Sequence, residues 1–297
     1  MPASSIRLII APYHAGVYNH RVGGGPIHIL SHGLVSRLER LIPVSFANIG
    51  PVEEFEGEIG RTFEHIRRIS AAVSAAVAQN AFPIILSGNC SASAAAVSGL
   101  GIPPKDLGVL WFDAHDDLDT PETDVSGYLD SMAASMMCGS SWSAMMKTVP
   151  GFKPLPLSQV AFIGVRRISE SKRKWIKEQG LTTVWGDPSR HVDFTAELDP
   201  ILERLEFRRS HVHLDVDVLD ESLGRANEWP SPGGLYAQDL LNAMTLIPTR
   251  VTPTSLTVCS FDPRLEGADT IARLVVQSLE RFVQGLVDRK AIVTVSK

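Results

Sequence analysis

Cysteine is scarce in this chain. Its 297 residues hold three, Cys90, Cys138 and Cys259, an odd number at spacings that build no disulfide framework. A reduced, cytoplasmic compartment is therefore expected. Long apolar runs are missing too. The best candidate, residues 69–86, is broken by Ser70, Ser74, Gln79, Asn80 and Pro83, short of the roughly 18 uninterrupted residues of a membrane span. The opening "MPASSIRLIIAPYH" has four apolar residues in a row before Pro12 and reads as a first strand, not a signal peptide. Positive charge is not concentrated anywhere. Net charge is −5 with both signs interspersed, so neither nucleic acid nor a membrane is expected as partner. The basic segment "SKRKWIK" (171–177) reads as a solvated helix face. Internal repeats and low-complexity tracts are absent as well.

What is present is an alternation of short apolar runs with amphipathic stretches. Strands are expected at residues 6–11, 43–47, 83–87, 108–112, 159–164, 182–185, 212–216 and 255–260. Helices are expected at 27–40, 61–79, 91–100, 129–138, 170–179, 200–207, 237–246 and 269–289. The sixth helix carries a start signal, Asp199 as N-cap and Pro200 at the first helical position. Strand followed by helix along most of the chain predicts an α/β fold with a mostly parallel sheet covered on both faces. Gly/Pro clusters at 21–26, 101–106 and 229–234 read as loops, because the alternation resumes after each, and one domain over 1–297 is expected.

The chemistry concentrates at two strand ends. "DAHDD" (113–117) follows the apolar run Gly108–Phe112, and "HVHLDVDVLD" (211–220) ends another. Side chains of an extended chain alternate, so Asp113, His115 and Asp117 share one direction, and Asp215 and Asp217 another. Ligand crevices of parallel sheets lie at the carboxyl ends of strands, where the two clusters can meet. Four carboxylates brought together resist ionisation. A divalent cation resolves the conflict, and hard carboxylates with an imidazole suit Mn²⁺, Zn²⁺ or Ni²⁺. A water held there becomes a hydroxide nucleophile near neutral pH. The bland reading is that Asp113 and Asp215 cap helices or pair with arginines. Two such motifs, each directly behind an apolar strand, favour metal.

These segments resemble the ureohydrolase superfamily of arginases, agmatinases and formiminoglutamases. "GGGPIHIL" (23–30) resembles the family's G-x-G-P loop, "SGNCS" (87–91) its G-G-D-H-S, and "DAHDD" its D-A-H-x-D. "TPET" with "SGYLD" (120–130) is similar to T-P-x-T…S-G-N-L-H, "HLDVDVLDE" (213–221) to S-x-D-x-D-x-x-D-P, and "SFDP" (260–263) to E-x-N-P. The resemblance implies a three-layer α/β/α arginase-like fold with an eight-stranded sheet, and homo-oligomers, commonly trimers or hexamers. It also implies two metal sites. Asp113 and Asp215 would bridge them, Asp117 would complete one beside Cys90, and His115 and Asp217 would complete the other.

The departures matter as much. Cys90 replaces a histidine ligand. It is a thiolate ligand that favours Zn²⁺, an inert buried thiol, or a nucleophile. Asp130 stands at a proton-transfer histidine, as a relay or as a helix cap. Catalytic roles thus fall to Asp117 and Asp130. Ser260 replaces the glutamate that grips guanidinium, with Asp262 as a substitute, and Asp119 stands near the substrate's expected carboxylate. Ser126 and Tyr128 complete the candidate substrate contacts, with Trp229 as a further wall. His14 and His20 either line the mouth or are incidental loop residues, and His211 and His213 read as structural.

The expected function is metal-dependent hydrolysis of a non-peptide C–N bond. The substrate would be a small guanidino, amidino or amide compound, including the hydroxyarginine type, attacked by a metal-bound hydroxide. A standard arginase is not expected. Two alternatives stay open: a deacetylase-like amide hydrolase with one zinc, and a non-enzymatic scaffold. One or two divalent ions per chain separate the first two.

Overall fold

The computed structural model describes residues 2–53 and 57–293. Its centre is a sheet of β1 (Ser5–Ala11), β2 (Val44–Asn48), β3 (Ala81–Ser87), β4 (Leu107–Phe112), β5 (Val160–Val165), β6 (Thr183–Trp185), β7 (Arg209–Asp215) and β8 (Thr252–Cys259). They lie in the order β2-β1-β3-β8-β7-β4-β5-β6, every pairing parallel. This is the eight-stranded parallel sheet the alternation predicts. The helices are α1 (Gly25–Ser31), α2 (Leu34–Glu39), α3 (Gly57–Ala78), α4 (Ala92–Gly99), α5 (Ala133–Met137), α6 (Ser143–Met146), α7 (Glu170–Glu178), α8 (Phe194–Arg204), α9 (Ala237–Arg250) and α10 (Ala268–Asp288).

The period-two alternation of each strand sorts its apolar side chains between two cores. In β1, Leu8 and Ile10 join Leu198, Leu240 and Leu279 of α8, α9 and α10 on one face. Ile9 and Ala11 join Phe63, Val73 and Ala95 of α3 and α4 on the other. β4 divides likewise, with Leu110 and Phe112 on the first face and Val109 and Trp111 on the second. Each such Leu, Ile, Val or Phe side chain, fully withdrawn from water, stabilises the fold by about 1.5–3 kcal/mol. This parity also aims the polar residues that follow. Asp113 continues the row of Val109 and Trp111, and Asp215 the row of His211 and His213, towards the α3/α4 side.

Four expected elements differ. The helix at 27–40 breaks into α1 and α2, because Gly33 takes a left-handed backbone (φ +83°). The stretch 129–138 begins as a 3₁₀ turn, Leu129–Met132, before α5. The sixth helix starts at Phe194, not Pro200: the Asp193 side chain accepts the Ala196 N–H at 3.0 Å, and Pro200 lies inside. Two aspartates compete for that cap. Starting at Asp193 buries Phe194 and Leu198, while Asp199 pairs instead with Arg250 Nε at 2.7 Å. The last strand ends at Cys259, because Ser260 has φ +63° and leaves the ladder.

Candidate metal centre

The strand order sets β3, β8, β7 and β4 side by side, so their C-terminal ends form one edge. Just past that edge come Cys90, Ser260, Asp215 and Asp113, from four distant parts of the chain. The loop after β3 is tied in by backbone. Ser260 N–H donates to the Gly88 carbonyl at 3.0 Å, and a Cβ on Gly88 would run into the Tyr13 carbonyl. Asp130 grips the same loop. Its Oδ2 accepts Asn89 Nδ2 (2.8 Å) and Cys90 N–H (3.0 Å), and its Oδ1 accepts Ser91 N–H (3.1 Å). It therefore caps the turn entering α4, rather than its own helix.

The carboxylates converge, though not by simple alternation. Asp113 is fully buried; its Oδ1 accepts His115 N–H at 2.7 Å and its Oδ2 accepts Trp111 Nε1 at 3.0 Å. Asp117 turns inward because its backbone is left-handed (φ +48°). Asp215 Oδ1 accepts Asp217 N–H at 2.8 Å, closing a tight turn that swings Asp217 towards β4. There Asp217 Oδ1 accepts Ala114 N–H at 3.1 Å. His115 Nδ1 then lies 3.3 Å from Asp113 Oδ1 and 3.2 Å from Asp217 Oδ2. Donor atoms of Asp113, His115 and Asp217 fall within 4.8 Å of one another, as do those of Cys90, Asp113 and Asp117, and those of Cys90, His213, Asp215 and Cys259.

The charge balance is unfavourable without a cation. Asp113, Asp117, Asp215 and Asp217 are all at most 7% exposed. Among the described residues, Asp117 and Asp215 have no cationic side chain within 4 Å, and Asp117 Oδ2 has no hydrogen-bond donor. Burial first, then the Asp113 and Asp130 charges, push the Asp117 carboxyl well above the usual range. Burial and the neighbouring Asp217 and Asp113 do the same to Asp215. Asp217 goes the other way. Burial opposes its charge, but His115 holds it well below the ordinary value. His115 answers in kind, because its carboxylate partners overcome burial and hold its pKa well above normal. Two imidazoles, His115 and the His213 ring 3.8 Å from Asp113, cannot balance four carboxylates, so the donor set fits divalent cations chemically.

These groups floor a cleft of about 470 Å³. Asp119, Ser126, Tyr128 and Ser260 line it, as do Trp229, Asn227, Arg167 and Lys172. Tyr128 and Trp229 face each other with ring centroids 5.1 Å apart. Asp119 is held by Lys172 Nζ at 3.0 Å, so Lys172 of the basic segment belongs to the cleft and is not merely part of a solvated face. Asp262 does not line the cleft. It is 1% exposed and bound by Arg264 through Nη2 at 2.6 Å, which removes it as a stand-in for the glutamate. Beside Ser260 stands Asn227, whose Nδ2 donates to Ser260 Oγ (3.0 Å) and to Asp217 Oδ2 (2.8 Å). Neither His14 nor His20 lines the cleft; the His14 ring packs 6.0 Å from Tyr128, behind the wall.

Several participants escaped sequence reasoning. Arg166 underlies the cluster and spends its guanidinium on backbone: Nη2 donates to the carbonyls of Asp217, Leu219 and Ser231, and Nη1 to those of Gly164 and Val218. It fixes the turn that presents Asp217. Asn227 carries no motif. His213 read as structural and Cys259 belonged to no motif; the one available signal was that His213 shares a strand face with Asp215.

A protein-family model described as the arginase family matches residues 4–283. The chain belongs to the arginase family. An arginase of Bacillus caldovelox is 27% identical over 285 residues, covering 91% of this chain and 95% of its own. The crystal structure of arginase from Bacillus subtilis superposes with a TM-score of 0.80 at 24% identity, over 94% of this chain and 98% of that one. Arginase from Entamoeba histolytica, solved with L-ornithine, gives a TM-score of 0.82 at 18% identity over 94% and 99%. Arginase-family proteins are metallohydrolases of non-peptide C–N bonds that bind divalent metals, and this chain is an arginase-family hydrolase of C–N bonds. Among the described residues, no helix is long and apolar enough to cross a membrane.

Proposed function

We propose that the chain hydrolyses a C–N bond of a small guanidino, amidino or amide compound that is neutral or weakly basic, and that free arginine is a poor substrate. The observation that carries this reading is the pairing of Ser260 with Asn227 where a guanidinium would need an acid. A cationic guanidinium leaving water requires a charge-assisted partner. The acids of the cleft outside the metal set are engaged: Asp119 and, at 3.8 Å, Asp116 by Lys172, Asp130 by three N–H donors, and Asp124 by Ser126 and Ser131. Uncharged hydroxyl and amide groups at the floor match an uncharged hydrogen-bonding substrate instead.

Asp113, His115 and Asp217 would hold one divalent ion, Mn²⁺, Zn²⁺ or Ni²⁺, with Asp117, Asp215 and Cys90 available to a second. When bound, such ions polarise the scissile group and bring a water's pKa near neutrality. Tyr128 and Trp229, packed against each other, form one wall of the cleft and shield the substrate from bulk water. Asp117, which lines the cleft and whose buried Oδ2 has no hydrogen-bond partner among the described residues, accepts a proton and returns it to the leaving amine. Asp130 positions Cys90 and Asn89 and is a secondary candidate for proton relay. The single-ion, deacetylase-like alternative rests on His115 with Asp113, Asp215 and Asp217, and the ion count separates it. A scaffold has no physical use for four buried carboxylates in contact.

Urea or ammonia release from a panel of neutral amidino, guanidino and amide compounds, set against arginine, tests the substrate reading. Neutral members should turn over faster. Ser260→Asp, a residue that tolerates the left-handed backbone, should shift preference towards arginine by about tenfold, from one added charge-assisted pair. Arginine turning over best in the unaltered chain would contradict the proposal.

A further inference from the structure

We propose that Cys90, Cys259, His213 and Asp215 form a closed zinc site beneath the floor of the cleft, distinct in donor chemistry from the aspartate–histidine set above it. The inference rests on the metal-centre reading, because Cys90 and Asp215 belong to both neighbourhoods, and it assigns the second ion a place and an element.

The fold assembles these four residues closely. Asp215 and Cys259 are register partners on β7 and β8, and His213 lies two residues back on the same face as Asp215. Cys90 is turned in from the β3 end by Asp130, which holds its N–H. All four are at most 4% exposed. Cys90 Sγ is 3.6 Å from Cys259 Sγ and 3.0 Å from Asp215 Oδ2, and Cys259 Sγ is 4.0 Å from His213 Nδ1. A zinc ion with bonds of about 2.3 Å to sulfur and about 2.0–2.1 Å to nitrogen or oxygen requires tetrahedral edges of about 3.4–3.8 Å. The three edges given depart from those by up to about half an ångström, and the other three lie within 4.8 Å.

The surroundings are those of a ligating histidine. Trp111 stacks on the His213 ring at 3.6 Å and 16°, which fixes its plane. Among the described residues its buried Nε2 has no hydrogen-bond partner, and it lies 3.8 Å from Asp113 Oδ2. An ion on Nδ1 takes the place of the Ser93 hydroxyl, now at 2.7 Å, and leaves the proton on Nε2, 3.8 Å from Asp113 Oδ2, a few tenths of an ångström short of the carboxylate–histidine–metal arrangement. Two thiolates, one carboxylate and a neutral imidazole carry three negative charges against two positive. Both thiol protons go to solvent as the ion binds. Thiolates select zinc over manganese. Four protein donors leave no open position, as in structural zinc sites, and Cys259 and His213 do not line the cleft.

The test loads the reduced, metal-free full chain with zinc alone and reads X-ray absorption at the zinc edge. Two sulfur neighbours at about 2.3 Å are expected for the tightly held ion, falling to one in Cys259→Ser with at least tenfold weaker zinc retention. Zinc should also protect Cys90 and Cys259 of the unaltered chain, and not Cys138, from alkylation. One sulfur or none in the unaltered chain, equal protection of Cys138, or a Cys90–Cys259 disulfide persisting under reduction would overturn the proposal. His115→Ala separates the two readings. There the two-sulfur zinc should remain while hydrolysis is lost. Hydrolysis surviving with two-sulfur zinc present counts against the proposed function alone; normal hydrolysis in a chain whose zinc has no sulfur counts against this inference alone.

Discussion

The two sides of the metal-binding edge are a few ångströms apart and chemically opposed. On the β4 side, Asp113, His115 and Asp217 offer oxygen and imidazole nitrogen, and His115 and Asp217 open onto the cleft. On the β8 side, Cys90 and Cys259 add sulfur, and half of the donors are sealed beneath the floor. Burial acts on both. On the first side it is offset by a matched ion pair, so Asp217 stays charged. On the second, burial and the nearby Cys259 and Asp130 push the Cys90 thiol up, while Cys259, hydrogen-bonded with Cys90 and beside the His213 imidazole, is held low despite its burial. Two donor sets can therefore share a sheet edge and still select different ions, because ligand softness and solvent access, not proximity, decide what each one holds.

The comparison breaks most visibly at the residue both sides lean on. Asp113→Ala should lower kcat/KM by far more than the ~100-fold upper range for losing an outer partner of a metal ligand, and should empty the cleft-side ion. Full activity in that variant, measured with its metal content, would dissolve the assignment. Next is the support under the oxygen-rich side. Arg166→Met strips the carbonyls of the turn after β7 of a buried cationic donor and should cost about 3 kcal/mol or more of stability, read by urea denaturation. The turn presenting Asp217 should loosen while Cys259 stays unreactive towards thiol reagents.

A third prediction concerns a group away from both donor sets. Burial, then Arg68, holds the His65 imidazole down at about 4. A base kept neutral in the fold contributes stability that is complete above the unfolded pKa near 6.5 and is lost as pH falls towards 4. That slope amounts to on the order of 3 kcal/mol, and it should vanish in His65→Phe without altering metal content. An unchanged acid-denaturation profile in that variant would refute it. Chelation gives the smallest and most discriminating effect. Dialysis against a chelator should remove the cleft-side ion first, lowering stability by about 2–3 kcal/mol for an ion present at some hundredfold over its Kd, with the sulfur-held ion leaving last. Simultaneous loss of all metal would erase the distinction.

Much of this was readable from the chain, for identifiable reasons. The parallel sheet announced itself because strands covered on both faces need continuous apolar runs, as in Gly108–Phe112. "DAHDD" and the D-x-D of β7 stood out because acids directly behind such runs are costly without a partner. The helix start at Asp193 was hidden by a stronger local signal at Asp199–Pro200, and burial of Phe194 and Leu198 overrode it. Cys259, His213, Asn227 and Arg166 were illegible for a different reason. Each acts through neighbours fixed by strand register and by turns with positive φ, such as Asp117 and Ser260, which no pattern of single residues encodes. Lys172 was misread because a basic helix start is ordinarily solvated, and only the packing of α7 beside Asp119 gives it a partner.

The most direct measurement is a crystal structure of the chain as purified, with anomalous diffraction collected at the manganese and zinc edges. The account predicts a divalent ion among Asp113, His115 and Asp217, with Asp113 and Asp215 drawn towards the same edge. Fully occupied density with no ion at any of these donors, and the carboxylates turned apart into solvent, would contradict it.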